Sequence, residues 1–170
     1  SSARLYWRPR YNDELVPDMH AGTVDVGLAV FPDRLGSLSY LRIGELRLAV
    51  VVGSRNPLAD AATLSLSDLK EEQILVPPRA LGPRYFEEFE QLFRDAGLDC
   101  DLLETPDPEG GQAPPGARGR LVGLGPLHWA REFTDRSGDR TRCIPLDDDA
   151  PTVPLELVWK RGNDSVLLQE

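Results

Sequence analysis

The chain has 170 residues, 19 Lys plus Arg against 28 Asp plus Glu, and a net charge of −9. That length is about one domain, long enough to bury roughly 70% of its unfolded surface, and the acidic balance excludes a grip on nucleic acid or an anionic membrane through general basicity. With 41% hydrophobic and 28% charged residues the composition is that of a soluble domain, and its longest purely apolar run, residues 48–52 (LAVVV), falls far short of the ~20 residues of a spanning helix.

At the front, SSARLYWRPRY carries neither a long apolar core nor a small-residue cleavage site, so it does not read as a secretory signal. Within it, residues 3–8 alternate as a strand. Asn12 is a good N-cap, and Asp13 and Glu14 suit the positive end of a helix that Gly22 can stop, although Pro17 sits inside it. Residues 24–31 (VDVGLAVF) and 46–53 (LRLAVVVG) read as strands, the second apolar enough for burial on both faces. SRNPLAD follows as a loop, 65–70 (SLSDLK) as a short Ser-capped helix, and 73–76 (QILV) as the next strand.

After the loop 77–83 (PPRALGP), Phe86, Phe89, Phe93 and Ala96 recur at helical spacing with acidic residues opposite, which predicts an amphipathic helix from Pro83 to Ala96, stopped by Gly97. Residues 101–104 can form a strand. The stretch 105–119 is too rich in Pro and Gly for a packed helix or central strand. Residues 121–133 recover apolar character, and 142–146 and 153–160 close the chain as strands. Strands alternating with helices over short connections give an α/β class, and strands without helices between Leu38 and Gly53 predict a mixed sheet.

Residues able to carry chemistry are few. Cys100 and Cys143 cannot make a disulfide scaffold or a zinc site alone; they read as two reduced thiols, with a redox pair as the alternative. His20 suits a helix end and His128 sits in PLHWA. No Gly-x-Ser-x-Gly elbow or Walker loop occurs, and Gly123-Leu-Gly125 is too short for a dinucleotide fingerprint. Asp147-Asp148-Asp149 reads as a solvated turn rather than a cation site. No catalytic residues, metal ligands or cofactor are expected. The loop PPRALGPRYF is more informative. It leaves the carboxyl edge of a buried strand and enters a helix N-terminus, where open α/β sheets bind ligands and where free N–H groups favour an anion. Arg79 and Arg84 add positive charge there and Tyr85 an aromatic face; an ordinary loop with two solvated arginines is the alternative.

Five stretches in order resemble the effector domain of LysR-type transcriptional regulators: HAGTVDVGLAV, LRLAVVVGSRNPLAD, LSLSDLKEEQILVPP, FEEFEQLFRDAGL and PTVPLELVWKRGNDSVLL. The resemblance implies a two-lobed fold like the type II periplasmic binding proteins. One lobe would comprise residues 1–51 plus 153–170 and the other 52–152, with crossings near Val51-Val52 and Thr152-Val153. It implies a small organic anion, such as an aromatic carboxylate, bound between the lobes by Pro83, Arg84 and Tyr85, with Arg47 opposing. It also implies a cytoplasmic, self-associating dimer or tetramer that contacts DNA only through a winged helix absent from these residues. The family's first strand and helix are missing too, which leaves the first lobe short of cover. Pro126 falls where a strand should pair. The alternatives are a stand-alone solute-binding module, a regulator fragment that binds no effector, and an enzyme on this fold; the absence of any nucleophile–base pair counts against the last.

Overall fold

The computed structural model describes Tyr6 and residues 12–76, 78–99, 101–104 and 119–163. The expected strand 3–8, Cys100, most of the Pro/Gly-rich stretch and the start of a final helix lie outside the described residues. The described chain runs α1 (Asn12–Ala21), β1 (Val26–Val30), β2 (Leu38–Leu46), β3 (Leu48–Gly53), β4 (Gln73–Val76), α2 (Pro83–Asp95), β5 (Asp101–Glu104), β6 (Leu121–Pro126), α3 (Leu127–Ser137), β7 (Thr141–Pro145) and β8 (Val153–Lys160). Its strands form two sheets. The first is antiparallel, in the order β1-β8-β2; the second is mixed, in the order β5-β4-β6-β3-β7. In the second sheet β4 runs parallel to β5 and β6, while β3 runs antiparallel to β6 and β7. The expected α/β class with mixed pairing is therefore the observed one.

The apolar run 46–53 is not one strand. Leu46 pairs with Val153 in the first sheet and Leu48 with Pro126 in the second. The chain changes sheet at Arg47, so the crossing expected near Val51-Val52, and with it the division at residue 51, falls four residues too late. All six residues of β3 are buried, because helices cover both faces of the second sheet. The return passage lies between β7, in the second sheet, and β8, in the first.

Phe86, Phe89 and Phe93 of α2 bury one face of the helix against Val50, Val52, Ile74 and Val122. Removing each such side chain from water contributes about 1.5–3 kcal/mol. The helix ends where Gly97 adopts a φ of 71°, which lets the Leu98 N–H reach the Phe93 carbonyl at 2.9 Å. On the opposite face of the sheet, Ala130 and Trp129 of α3 pack on Ala49 and Val51. Pro126 costs the ladder less than its position implied. It is the last residue of β6, and the following Leu127 N–H donates to the Arg47 carbonyl at 2.8 Å as α3 begins.

The first sheet has one described cover. Leu15 and Met19 of α1 pack on Ala29, Leu38 and Val158, and the helix continues through Pro17. On the other face Leu28 and Leu41 flank Leu157 across the three strands and are 46% and 53% exposed. Among the described residues nothing covers this face. No helix among them is long and apolar enough to cross a membrane.

Candidate functional site

The loop after β4 leads through a short 3-10 turn, Arg79–Leu81, into α2, with Pro83 in the first helical turn. Proline has no N–H, and the intrahelical ladder starts with the Phe86 N–H on the Gly82 carbonyl at 3.2 Å. The first-turn donors left without a helical partner are therefore the N–H groups of Arg84 and Tyr85. A carboxylate already stands at this position: Asp33 Oδ1, from the loop after β1, accepts from the Arg84 N–H at 3.4 Å. The site thus lies where the loop after β1 of the first sheet meets the start of α2.

The Arg84 guanidinium turns along the helix to Glu88, with Nη2 2.8 Å from Oε1, while its buried Nε has no acceptor. Tyr85 stacks on Phe89 with ring centroids 4.7 Å apart and meets Phe31 edge-on at 6.2 Å. Burial pushes its phenol above the ordinary tyrosine range, so the ring acts here as a neutral wall. Arg79 belongs elsewhere: its guanidinium lies 4.0 Å over the Phe86 ring and 3.3 Å from Glu90.

Arg47 is separate from this group. At the crossing between the sheets its Nη2 contacts Asp148 Oδ1 at 2.8 Å and the Leu146 carbonyl at 3.2 Å. Among the described residues no hydrogen bond or ion pair joins it to the start of α2. A cavity of about 690 Å3 runs along α2 beyond its first turn, its lining including Phe31, Leu66, Glu88, Asp95, Asp147 and Asp149 but none of Arg47, Pro83, Arg84 and Tyr85. Each arginine is thus neutralised by a carboxylate in or next to that lining, Arg84 by Glu88 and Arg47 by Asp148.

Sequence reasoning brings Pro83, Arg84 and Tyr85 to one helix start but misses Phe31 and Asp33. The available signal is the Phe-Pro-Asp that follows a strand, since ligand crevices lie beyond strand carboxyl ends. The 147–149 acidic run is solvent-facing as expected, with Asp148 and Asp149 exposed, and Asp147 and Asp149 also border the cavity. His20 shares a hydrogen bond with Ser37 at 3.1 Å and His128 is exposed on α3, both away from the site.

A family model described as the LysR substrate binding domain matches residues 2–170. The HTH-type transcriptional regulator TtuA of Agrobacterium vitis is 29% identical over 94 residues, 55% of this chain and 31% of TtuA. The structure of CbnR, a LysR family transcriptional regulator, superposes with a TM-score of 0.68 at 18% identity, over 94% of this chain and 54% of CbnR. The BenM effector binding domain with its effector benzoate gives a TM-score of 0.64 at 19% identity, over 92% of this chain and 69% of that one. The chain therefore spans about a third of TtuA and about half of CbnR, and the structural likenesses speak for a shared fold.

Proposed function

Because the chain belongs to the family of LysR substrate binding domains, we propose that it senses a small organic anion held between its two sheets at the start of α2 and passes its occupancy to a DNA-binding domain. The observation that carries this reading is the Asp33 carboxylate on the Arg84 N–H, a carboxylate of this chain at the place an effector's carboxylate would take. Pro83 sets the helix start, the N–H groups of Arg84 and Tyr85 receive the anion, the Tyr85 ring flanks it, and Arg47 opposes from the crossing. The effector acts by differential affinity, shifting the population toward the lobe arrangement it binds better. On this reading the full-length protein works in the cytoplasm, assembles as a dimer or tetramer, and reaches DNA through a winged helix outside these residues.

Thermal unfolding with benzoate, other aromatic carboxylates and short dicarboxylates tests the reading, because a ligand that binds only the folded state raises the melting temperature. If backbone N–H groups hold the anion, Arg84→Ala leaves affinity nearly unchanged while Pro83→Ala and Tyr85→Ala weaken it. A large loss from Arg84→Ala alone overturns the backbone arrangement, and no response to any anion overturns the sensing function.

One observation favours a second reading of the ligand's chemistry. The cavity wall carries Glu88, Asp95, Asp147 and Asp149 with no Lys or Arg among its lining residues. That field favours a ligand with an ammonium group as well as a carboxylate. Phenylalanine raising the melting temperature more than benzoate is the result that selects it.

A further inference from the structure

We propose that Asp33 is a built-in occupant of the site: its carboxylate latches the first sheet to α2, and an effector anion binds by displacing it. The proposal rests on the anion-sensing reading above and concerns what regulates that same site.

Asp33 is held out to α2 by a loop fixed from the first sheet. Tyr40 Oη accepts the Leu35 N–H at 2.7 Å and donates to the Asp33 carbonyl at 2.7 Å. Arg34 next to it pairs with the buried Glu156 at 2.6 Å and lies 4.5 Å over the Tyr40 ring. The loop begins at Phe31, the one non-glycine residue with positive φ (47°) among the described residues. That conformation is costly and persists only where surrounding contacts hold it. Here Phe31 meets Tyr85 and Phe89 edge-on, at 6.2 and 6.0 Å. An aromatic contact and a backbone N–H-to-carboxylate hydrogen bond thus both run from this loop to α2.

The hydrogen bond is the contact suited to exchange. At 3.4 Å the Arg84 N–H to Asp33 bond is long for a charge-assisted one, and the adjacent buried Arg84 Nε has no acceptor at all. An anion free of a loop can approach the Arg84 N–H more closely than Asp33 does. Once it binds, Asp33 loses its donor and faces a like charge, so the strained Phe31 loop loses one of the contacts that hold it to α2. Effector binding and loosening of the loop are thereby one equilibrium, and the latched fraction sets how much apparent affinity is lost.

The test uses the full chain with Asp33→Ala, which removes the acceptor, alongside Asp25→Ala as an exposed control for the altered net charge. Spin labels at Asp13→Cys on α1 and Glu87→Cys on α2, with Cys100 and Cys143 replaced, report the distance between the lobes; benzoate affinity is measured in parallel. Asp33→Ala is expected to lengthen or broaden the ligand-free distance distribution and to tighten benzoate binding by about tenfold or more, while the control does neither. An unchanged ligand-free distribution overturns the latch whatever benzoate does. Equal benzoate affinity in Asp33→Ala and the parent overturns the displacement. If the distribution opens but benzoate and the other anions bind neither protein, the latch stands and the anion-sensing reading fails.

Discussion

Asn56 donates from Nδ2 to Glu72 Oε2 at 3.1 Å, and both side chains are buried, 5% and 7% exposed. The same amide nitrogen reaches the Gly119 carbonyl at 2.9 Å, and Oδ1 accepts the Leu58 N–H at 2.8 Å. One side chain thus ties the Asn-Pro-Leu loop to the approach to β4 and to the residue pair that precedes β6. A buried carboxylate is tolerated here because a donor faces it. Asn56→Ala strands that carboxylate and two backbone groups at once. The expected loss is about 2–4 kcal/mol of unfolding free energy, read from urea denaturation; a loss under about 1 kcal/mol would show that water replaces the amide.

The aromatic face of α2 carries the main core. Phe89 is fully buried between the helix and the second sheet and also meets Phe31 and Tyr85. Phe89→Ala is expected to cost about 3–5 kcal/mol, while Glu87→Ala, on the exposed face of the helix, stays within about 0.5 kcal/mol. Urea midpoints of the two variants check the contrast.

Gly125 is small because a ring lies against it. A Cβ built there would stand 2.9 Å from Trp129 Cε3 and 3.2 Å from Cζ3. An indole in a packed layer yields less than the end of a Leu or Met chain. Gly125→Ala should destabilise by about 1–3 kcal/mol and alter the near-ultraviolet dichroism of Trp129. An unchanged spectrum at parental stability would mean that α3 shifts freely on the sheet.

Cys143 carries a free thiol that burial pushes above its ordinary range; Arg131 opposes the shift and Asp135 adds to it. The folded-state pKa exceeds the unfolded one, so the stability favouring the neutral thiol is fully present below the unfolded value, ~8.5. It is lost as pH rises through the folded value. Relative to Cys143→Ala, the parent should therefore lose stability as pH climbs from about 8 upward. At neutral pH the native thiol should react with a disulfide reagent more slowly than the denatured one.

Much of the fold is legible because much of it is local. The periodicity of Phe86, Phe89 and Phe93 marks α2, and Pro83 and Gly97 bound it within a residue. Strands β4, β5 and β8 fall on the expected residues, since each is a short run between clear breakers. The start of α2 is legible for the same reason, which is why Pro83, Arg84 and Tyr85 appear in the sequence as a group.

What the sequence determined by itself, then, is its α/β class, the bounds of α2, β4, β5 and β8 and the family to which its motifs belong, because propensity, periodicity and capping act within a few residues. Only the tertiary structure decided that the run around Arg47 divides between two sheets. Apolar character continues through both halves, and hydrogen-bond partners drawn from Val153 and Pro126 choose the break. Only the tertiary structure, again, set Asp33 against Arg84 across 51 residues. A carboxylate's partner is fixed by where two sheets meet, and no local pattern encodes that distance.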